Sequence, residues 1–244
     1  MKLEHVTLER PGWIATLTLN RPERRNSLSD PLLLDLIAAL TELRDDASSR
    51  VVILTGADPV FSAGADAPGI NAAMTAEERR RVFGARKTQF RRLFERATAL
   101  LEDLEQVTIA AVNGHAIGGG WGLTLACDFR IASAEAQFWI PEVDLGVPLG
   151  VVSTTRFVRL AGEAPAKEII LGGRRYSAGE AKAMGLVHQV VPRAELAGAA
   201  REYALLLAAK PYEPLAKVKA NINAIARAGN PPVPAQTDGF LPRD

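Results

Sequence analysis

The stretch from Gln106 to Cys127, QVTIAAVNGHAIGGGWGLTLAC, decides how this chain folds. Across 22 residues it carries no Asp, Glu, Lys or Arg, which at first suggests a bilayer helix. Five glycines (114, 118, 119, 120 and 122), Asn113 and His115 make it too loose and too polar for that. It reads instead as a buried strand over Thr108–Val112, a glycine-bearing loop over Asn113–Gly120, and a helix that follows. An uninterrupted apolar strand is covered on both faces, so the chain is a layered sheet between helices.

The same alternation extends upstream. Val6–Leu8 and Ile14–Leu19 are β segments around a turn at Arg10-Pro11-Gly12, and Asn20-Arg21-Pro22 closes the second. Ser29-Asp30-Pro31 opens a helix, with a capping hydroxyl ahead of a proline tolerated in the first turn. Leu32, Leu33, Leu36, Ile37 and Leu40 fall on one face of it. Val51–Leu54 is a further buried strand, and Thr75–Glu105 a long helical tract. Downstream, Phe129–Ala132 and Ala136–Ile140 read as strands. Beyond Gly150 the texture becomes helical, except for an extended segment at Leu186–Val191, and the chain finishes in a proline-rich irregular tail from Gly229. The expected plan from pattern alone is α/β, a β-rich layered core to about residue 150 followed by a helical C-terminal part that ends in that tail.

Composition narrows the partners. The chain has 244 residues, is 48% hydrophobic and 23% charged, and carries a net charge of +1, so it has no global field for nucleic acid or an anionic membrane. The arginines and lysine at 79, 80, 81, 86, 87, 91, 92 and 96 form a local basic stretch. Glu77, Glu78 and Glu95 interrupt it, as on a solvated helix face. No nucleic acid and no membrane are expected as partners. Glu4 stands where an apolar secretory core would begin, and Cys127, as a single cysteine, makes no internal disulfide. Both fit a cytoplasmic protein.

Searches for common catalytic motifs fail. There is no phosphate-binding G-x-x-x-x-G-K, no G-x-G-x-x-G and no G-x-S-x-G elbow. His5, His115 and His188 lack the spacing of a zinc site, and Cys127 sits in an apolar helix end. Two glycine-containing loops remain, Phe61–Asp66 and Asn113–Gly120. Small residues there let a ligand approach main-chain N–H donors, and together the loops could cradle an oxyanion. Two tight turns in a packed fold are the plainer reading of the same spacing.

Six blocks then recur in order: Asn20-Arg21-Pro22; Phe61–Asp66; Asn113–Gly120; Cys127-Asp128; Gln137-Phe138 with Pro141-Glu142; and Ser177-Ala178 through Gly185-Leu186-Val187. In these the chain, from about Leu3 to about Lys219, resembles the crotonase superfamily of enoyl-CoA hydratases and isomerases. The resemblance implies a crotonase-like spiral core of ββα units over residues 1–190 carrying the active site, a helical trimerisation and pocket-closing region with an irregular tail over 191–244, and an acyl-CoA thioester as substrate. No cofactor is implied beyond the coenzyme A that the thioester carries. The oxyanion amides match Ala65 and Gly119, the latter preceded by Gly118. Ala63, Ala65, Asp66 and Ala67 match the strip along the adenine end of coenzyme A. Arg25 matches a position that meets its phosphates, a task suited to a guanidinium, and Arg24 is a second candidate. Homotrimers or hexamers are the implied assembly.

The acids separate the possible reactions. Hydratases of this family carry two glutamates; one matches Glu142, and the other falls at Gly122, which has no side chain. A three-acid arrangement used by dienoyl-CoA isomerases also fails, with glycine at 122 and 150. One carboxylate suffices to take a proton from the α-carbon and return it at the γ-carbon. The resemblance therefore implies an isomerase with Glu142 as its acid–base group. A hydratase with a rearranged acid pair and a non-catalytic acyl-CoA- or RNA-binding relative are the alternatives. Asp144 would share the face of Glu142 if that stretch is extended. Trp121 and Trp139 flank the matched positions, either narrowing the acyl pocket or simply filling core.

Overall fold

The computed structural model describes residues 3–66 and 74–229. Along the chain lie β1 (Val6–Glu9), β2 (Ile14–Leu19), α1 (Asp30–Arg44), β3 (Val51–Gly56), α2 (Ala76–Asp103), β4 (Val107–Val112), β5 (Ala116–Ile117) and α3 (Gly119–Thr124). They are followed by β6 (Phe129–Ser133), β7 (Gln137–Trp139), α4 (Val151–Ala161), α5 (Glu163–Gly172), β8 (Tyr176–Ser177), α6 (Ala178–Ala183), β9 (Gln189–Val191), α7 (Leu196–Ala208) and α8 (Tyr212–Ala228). The expected strands and helices are all present, although the segment at 186–191 pairs as a strand only from Gln189.

Six strands form one sheet in the order β1-β2-β3-β4-β6-β9, antiparallel at the first pair and parallel thereafter. Its central strands are apolar throughout because both faces are covered. Val52, Leu54, Ala110, Val112 and Ala132 face one core, shared with α1. Their alternates Val51, Ile53, Ile109, Ala111 and Ile131 face a second core. There α7 lays down Leu196, Ala200, Ala204, Leu207 and Ala208, spaced to fall on one helix stripe. The opening of α1 follows its sequence: the Ser29 hydroxyl accepts from the Leu32 amide, and Pro31 occupies the first turn.

A smaller sheet, β5-β7-β8, stands beside the large one. β4, β5 and α3 form one ββα turn, and β6, β7 and α4 the next, each giving its first strand to the large sheet and its second to the small one. Ser62, after β3, continues the pattern through a parallel bridge to Ala116. The α/β class and the spiral of ββα units therefore stand as read from the sequence.

Charge anchors α8 beside the apolar contact of its Leu215 with the second core. Lys219, on the inner side of α8, is almost fully buried, and its ammonium lies 2.8 Å from Asp128 Oδ2 while donating to the Gln106 carbonyl at 2.7 Å. Asp128 also accepts from the amide and hydroxyl of Thr108. Truncating the lysine strands a carboxylate with little access to water. Lys219→Ala is expected to cost about 3 kcal/mol in urea unfolding. A cost within about 0.5 kcal/mol would show that α8 is not held by this pair.

Candidate active site

The first glycine loop is held by Asn26, which is fully buried in a left-handed conformation (φ 52°). Its Nδ2 donates to the carbonyls of Ala57 (2.6 Å) and Val60 (2.8 Å), and its Oδ1 accepts from the Arg21 amide at 2.9 Å. Asparagine tolerates that backbone better than most residues and brings both a donor and an acceptor. Leu28 and Ala65 form a parallel bridge, in which the Leu28 amide donates to Gly64 and the Asp66 amide donates to Leu28. In that pattern the N–H of Ala65 points away from Leu28. It donates to no other described residue.

The second loop lies directly against the first. Gly64 has φ +83°, and a β-carbon there would stand 2.6 Å from the Ile117 carbonyl oxygen and 3.6 Å from the Gly119 nitrogen. Only glycine permits this approach. The Ile117 amide donates to Ser62, and the Gly118 amide to Trp139. Gly119 is the first residue of α3, and its amide, like that of Ala65, has no partner among the described residues. The fold thus brings together the two amides singled out in the sequence, both left without an acceptor.

Glu142 follows β7 across Ile140 and Pro141. It enters a tight turn in which the Leu145 amide donates to Pro141 and the Val147 amide to Glu142. The turn aims its carboxylate at Gly118, where a β-carbon would collide with Oε1 and lie 3.2 Å from Cδ. Oε2 has no contact with solvent and no hydrogen-bond partner. Burial pushes the carboxyl up to about 7. The same turn corrects the expectation for Asp144: the stretch is not extended, and the Asp144 carboxylate lies against Gly173 at the end of α5.

Gly122 sits one turn along α3, its amide donating to the Gly118 carbonyl at 3.0 Å. The space ahead of its α-carbon is filled from α4 and α2. A β-carbon would collide with Ser153 Oγ and lie 3.1 Å from Ser153 Cβ and 3.5 Å from Phe94 Cζ. Leu28 and Phe94 also border Gly119. Ser153, Phe94 and Leu28 were not singled out in the sequence, and neither periodicity nor spacing marks them.

At the mouth, Arg25 is exposed, has φ 51°, and has no ion pair among the described residues. Arg24 is instead drawn to Asp66 (3.4 Å), which Arg21 also approaches at 3.1 Å. Ala63, Ala65 and Asp66 follow one another along the loop, while Ala67 lies outside the described residues. The guanidinium of Arg175 lies over Trp139, whose ring meets His115 edge-on. Burial holds the His115 imidazole below its usual range, and Arg175, Arg193 and Arg25 push it further down. Trp121 belongs to the core, fully buried among Phe138, Phe157 and Tyr176. Cys127 is buried with its thiol pushed up to about 12, which leaves it inert at neutral pH. Among the described residues, no three His, Cys, Asp or Glu side chains gather as metal ligands, and no helix is long and apolar enough to cross a membrane. Within the basic stretch, the described part includes an Arg91–Glu95 pair at 3.8 Å. The side chains of residues 79–87 lie outside the description.

Residues 9–237 match the family described as Enoyl-CoA hydratase/isomerase. The chain is 41% identical over 206 residues to a short-chain-enoyl-CoA hydratase of Clostridium acetobutylicum, an alignment spanning 84% of this chain and 75% of that protein. An enoyl-CoA hydratase structure from Bacillus anthracis superposes with a TM-score of 0.79 at 38% identity, over 90% of this chain and 82% of that one. A monofunctional enoyl CoA isomerase from M. smegmatis gives 0.77 at 33%, over 93% and 95%.

The environment of Glu142 has a stability consequence. Its folded pKa lies above the ordinary glutamate value of about 4.5, so between about pH 4.5 and pH 7 the folded chain holds a proton that the unfolded chain releases. Stability falls across that window as pH rises. Glu142→Gln removes the effect, so the variant should exceed the wild type by up to about 3 kcal/mol near pH 8 and differ little near pH 4. Urea titrations at both pH values check this; equal differences at both would mean that the carboxyl is not raised.

Proposed function

The chain belongs to the enoyl-CoA hydratase/isomerase family, and within it we propose that it isomerises the double bond of an enoyl-CoA, with Glu142 as the only carboxylate that moves the proton. The observation that carries this reading is a single desolvated carboxylate beside two loops with unpaired amides, at a site with no acid at position 122. The thioester oxygen accepts from the N–H groups of Ala65 and Gly119, which stabilise the enolate as charge develops there. The Glu142 carboxylate takes a proton from the α-carbon of a 3-enoyl thioester. The electron pair shifts toward the γ-carbon, and the same carboxyl returns the proton there, leaving the 2-enoyl thioester. A pKa near 7 suits both halves of that exchange.

Coenzyme A arrives as part of the substrate, with Ala63, Ala65 and Asp66 along its adenine end and Arg25 toward its phosphates. No other cofactor is needed for these steps. Self-association into a trimer or hexamer is supported by exposed apolar side chains on the C-terminal helices: Leu205 and Leu206 on α7, and Val218, Ile222 and Ile225 on α8. A second reading, hydration of a 2-enoyl-CoA, is favoured by the 41% identity to a short-chain-enoyl-CoA hydratase.

Assaying a 3-enoyl-CoA for isomerisation beside a 2-enoyl-CoA for hydration separates the two. Isomerisation without hydration is the expected result, and hydration alone would overturn the proposal. Glu142→Gln should lower isomerisation by at least about 100-fold while leaving CoA-thioester binding nearly intact. Survival of the rate within a few-fold would refute the assignment of the acid. The wild-type rate should rise with pH through about 7, as the carboxylate forms. Gly119→Pro, at the first helical position where proline is tolerated, should cost about 100- to 1,000-fold by removing one amide donor. An unchanged rate in the folded variant would remove Gly119 from the oxyanion site.

A further inference from the structure

Ser62 stands where the two glycine loops meet. It is fully buried, and its main chain pairs with the second loop: its amide donates to the His115 carbonyl at 3.1 Å, and its carbonyl accepts from the Ile117 amide at 3.0 Å. Its hydroxyl serves the first loop. Oγ donates to the Asn26 carbonyl at 2.8 Å and accepts from the Gly64 amide at 3.2 Å. The same side chain lies against the start of α3, where a β-carbon on Gly120 would stand 2.9 Å from Ser62 Cβ and 3.0 Å from Oγ. One small residue therefore touches a chain neighbour of each amide left without an acceptor among the described residues: Gly64 before Ala65, and Gly120 after Gly119.

The direction of the Ala65 amide depends on this arrangement. Gly64 has no β-carbon to restrict it, so its two flanking peptide planes are fixed by what they bond to. The Leu28 amide holds the Gly64 carbonyl at 2.8 Å, and because the peptide is planar and trans, the Ala65 N–H points the opposite way. The plane on the other side is held by Ser62 Oγ through the Gly64 N–H. Without that hydroxyl a buried N–H loses its acceptor, and the glycine pivot beside the oxyanion donor regains freedom.

We propose that Ser62 is a positioning residue for the reaction: its hydroxyl fixes the Gly64 pivot and so aims the Ala65 amide at the thioester oxygen, while its backbone and β-carbon hold the start of α3 against the same loop. The proposal rests on the reading of Ala65 and Gly119 as an oxyanion site. Its effect runs through preorganisation, since donors already aimed at a developing charge need not reorganise as it forms. Misdirected donors lower the rate of the chemical step more than the affinity for the ground-state thioester.

The test pairs Ser62→Ala with Thr108→Ala. The Thr108 hydroxyl is also buried and also donates once and accepts once, but to Asp128 beside the α8 anchor. Both variants should lose stability in urea unfolding. Only Ser62→Ala should slow the reaction that the wild type catalyses, by about tenfold in kcat with KM within about twofold. The second readout is the infrared carbonyl band of bound butyryl-CoA, isotopically labelled at the thioester carbonyl. Binding to the wild type and to Thr108→Ala should lower its frequency equally, and binding to Ser62→Ala should lower it less. Ser62→Cys, which puts a weaker hydrogen-bonding thiol in the same place, should fall between wild type and Ser62→Ala in both readouts. A kcat within about twofold of the wild type, or an unchanged carbonyl band, in Ser62→Ala or (should that variant not fold) in Ser62→Cys, overturns the proposal. Equal slowing by Thr108→Ala also overturns it, because the loss of any buried hydroxyl would then suffice. Absence of a carbonyl shift on binding to the wild type refutes instead the oxyanion reading beneath it.

Discussion

The contact on which the site depends is between two backbones. Gly64 approaches the Ile117 carbonyl more closely than any residue with a β-carbon allows, and this sets the first loop against the start of α3. Around that contact the pairing is nearly complete. Ser62 bridges to Ala116, Leu28 to Ala65, and the buried Asn26 ties the preceding turn to the carbonyls after β3. Because neighbouring groups are satisfied, the two amides left over, on Ala65 and Gly119, are fixed in direction by the rest of the loop. An electrostatic site built this way needs no side chain and little reorganisation when charge develops before it.

Glu142 is the opposite kind of element, a charge held where it is poorly solvated. Its turn supplies no hydrogen-bond donor to Oε2, so burial sets the acidity largely unopposed. By contrast the largely buried Glu102 is enclosed by Arg156, Arg159 and Arg227, and its pKa is driven down rather than up. Glu102 is thus paired where the Glu142 Oε2 has no partner. A strongly desolvated acid beside two glycine-bearing loops is the kind of group that proton exchange uses, and the proposed role of Glu142 rests on it.

Much of this was legible in the chain because it is local. The apolar strand at 108–112, the loop glycines and the capped start of α1 each follow from a few adjacent residues, and the structure keeps them where the pattern put them. What was not legible depends on how distant segments meet. Asp144 was expected to share a face with Glu142, but the turn from Pro141 to Val147 rotates it toward Gly173. Trp121 sits between two glycines of the α3 stretch, yet Phe138, Phe157 and Tyr176 arrive from three later elements to enclose it. Ser153 has no local signature at all. Its place opposite Gly122 exists only because α4 packs across α3.

That packing bears on why one acid stands alone. Burial by itself already raises Glu142 to about 7. A second carboxylate one helical turn away would add like-charge repulsion in the same poorly solvated space and push one of the pair higher still. It would then be protonated at neutral pH and unable to accept a proton from carbon. A neutral hydroxyl in that space imposes no such penalty on the Glu142 carboxyl. Glycine at 122 and a neutral serine at 153 therefore place no second carboxylate opposite Glu142 at these two positions, as the proposed single-acid exchange requires.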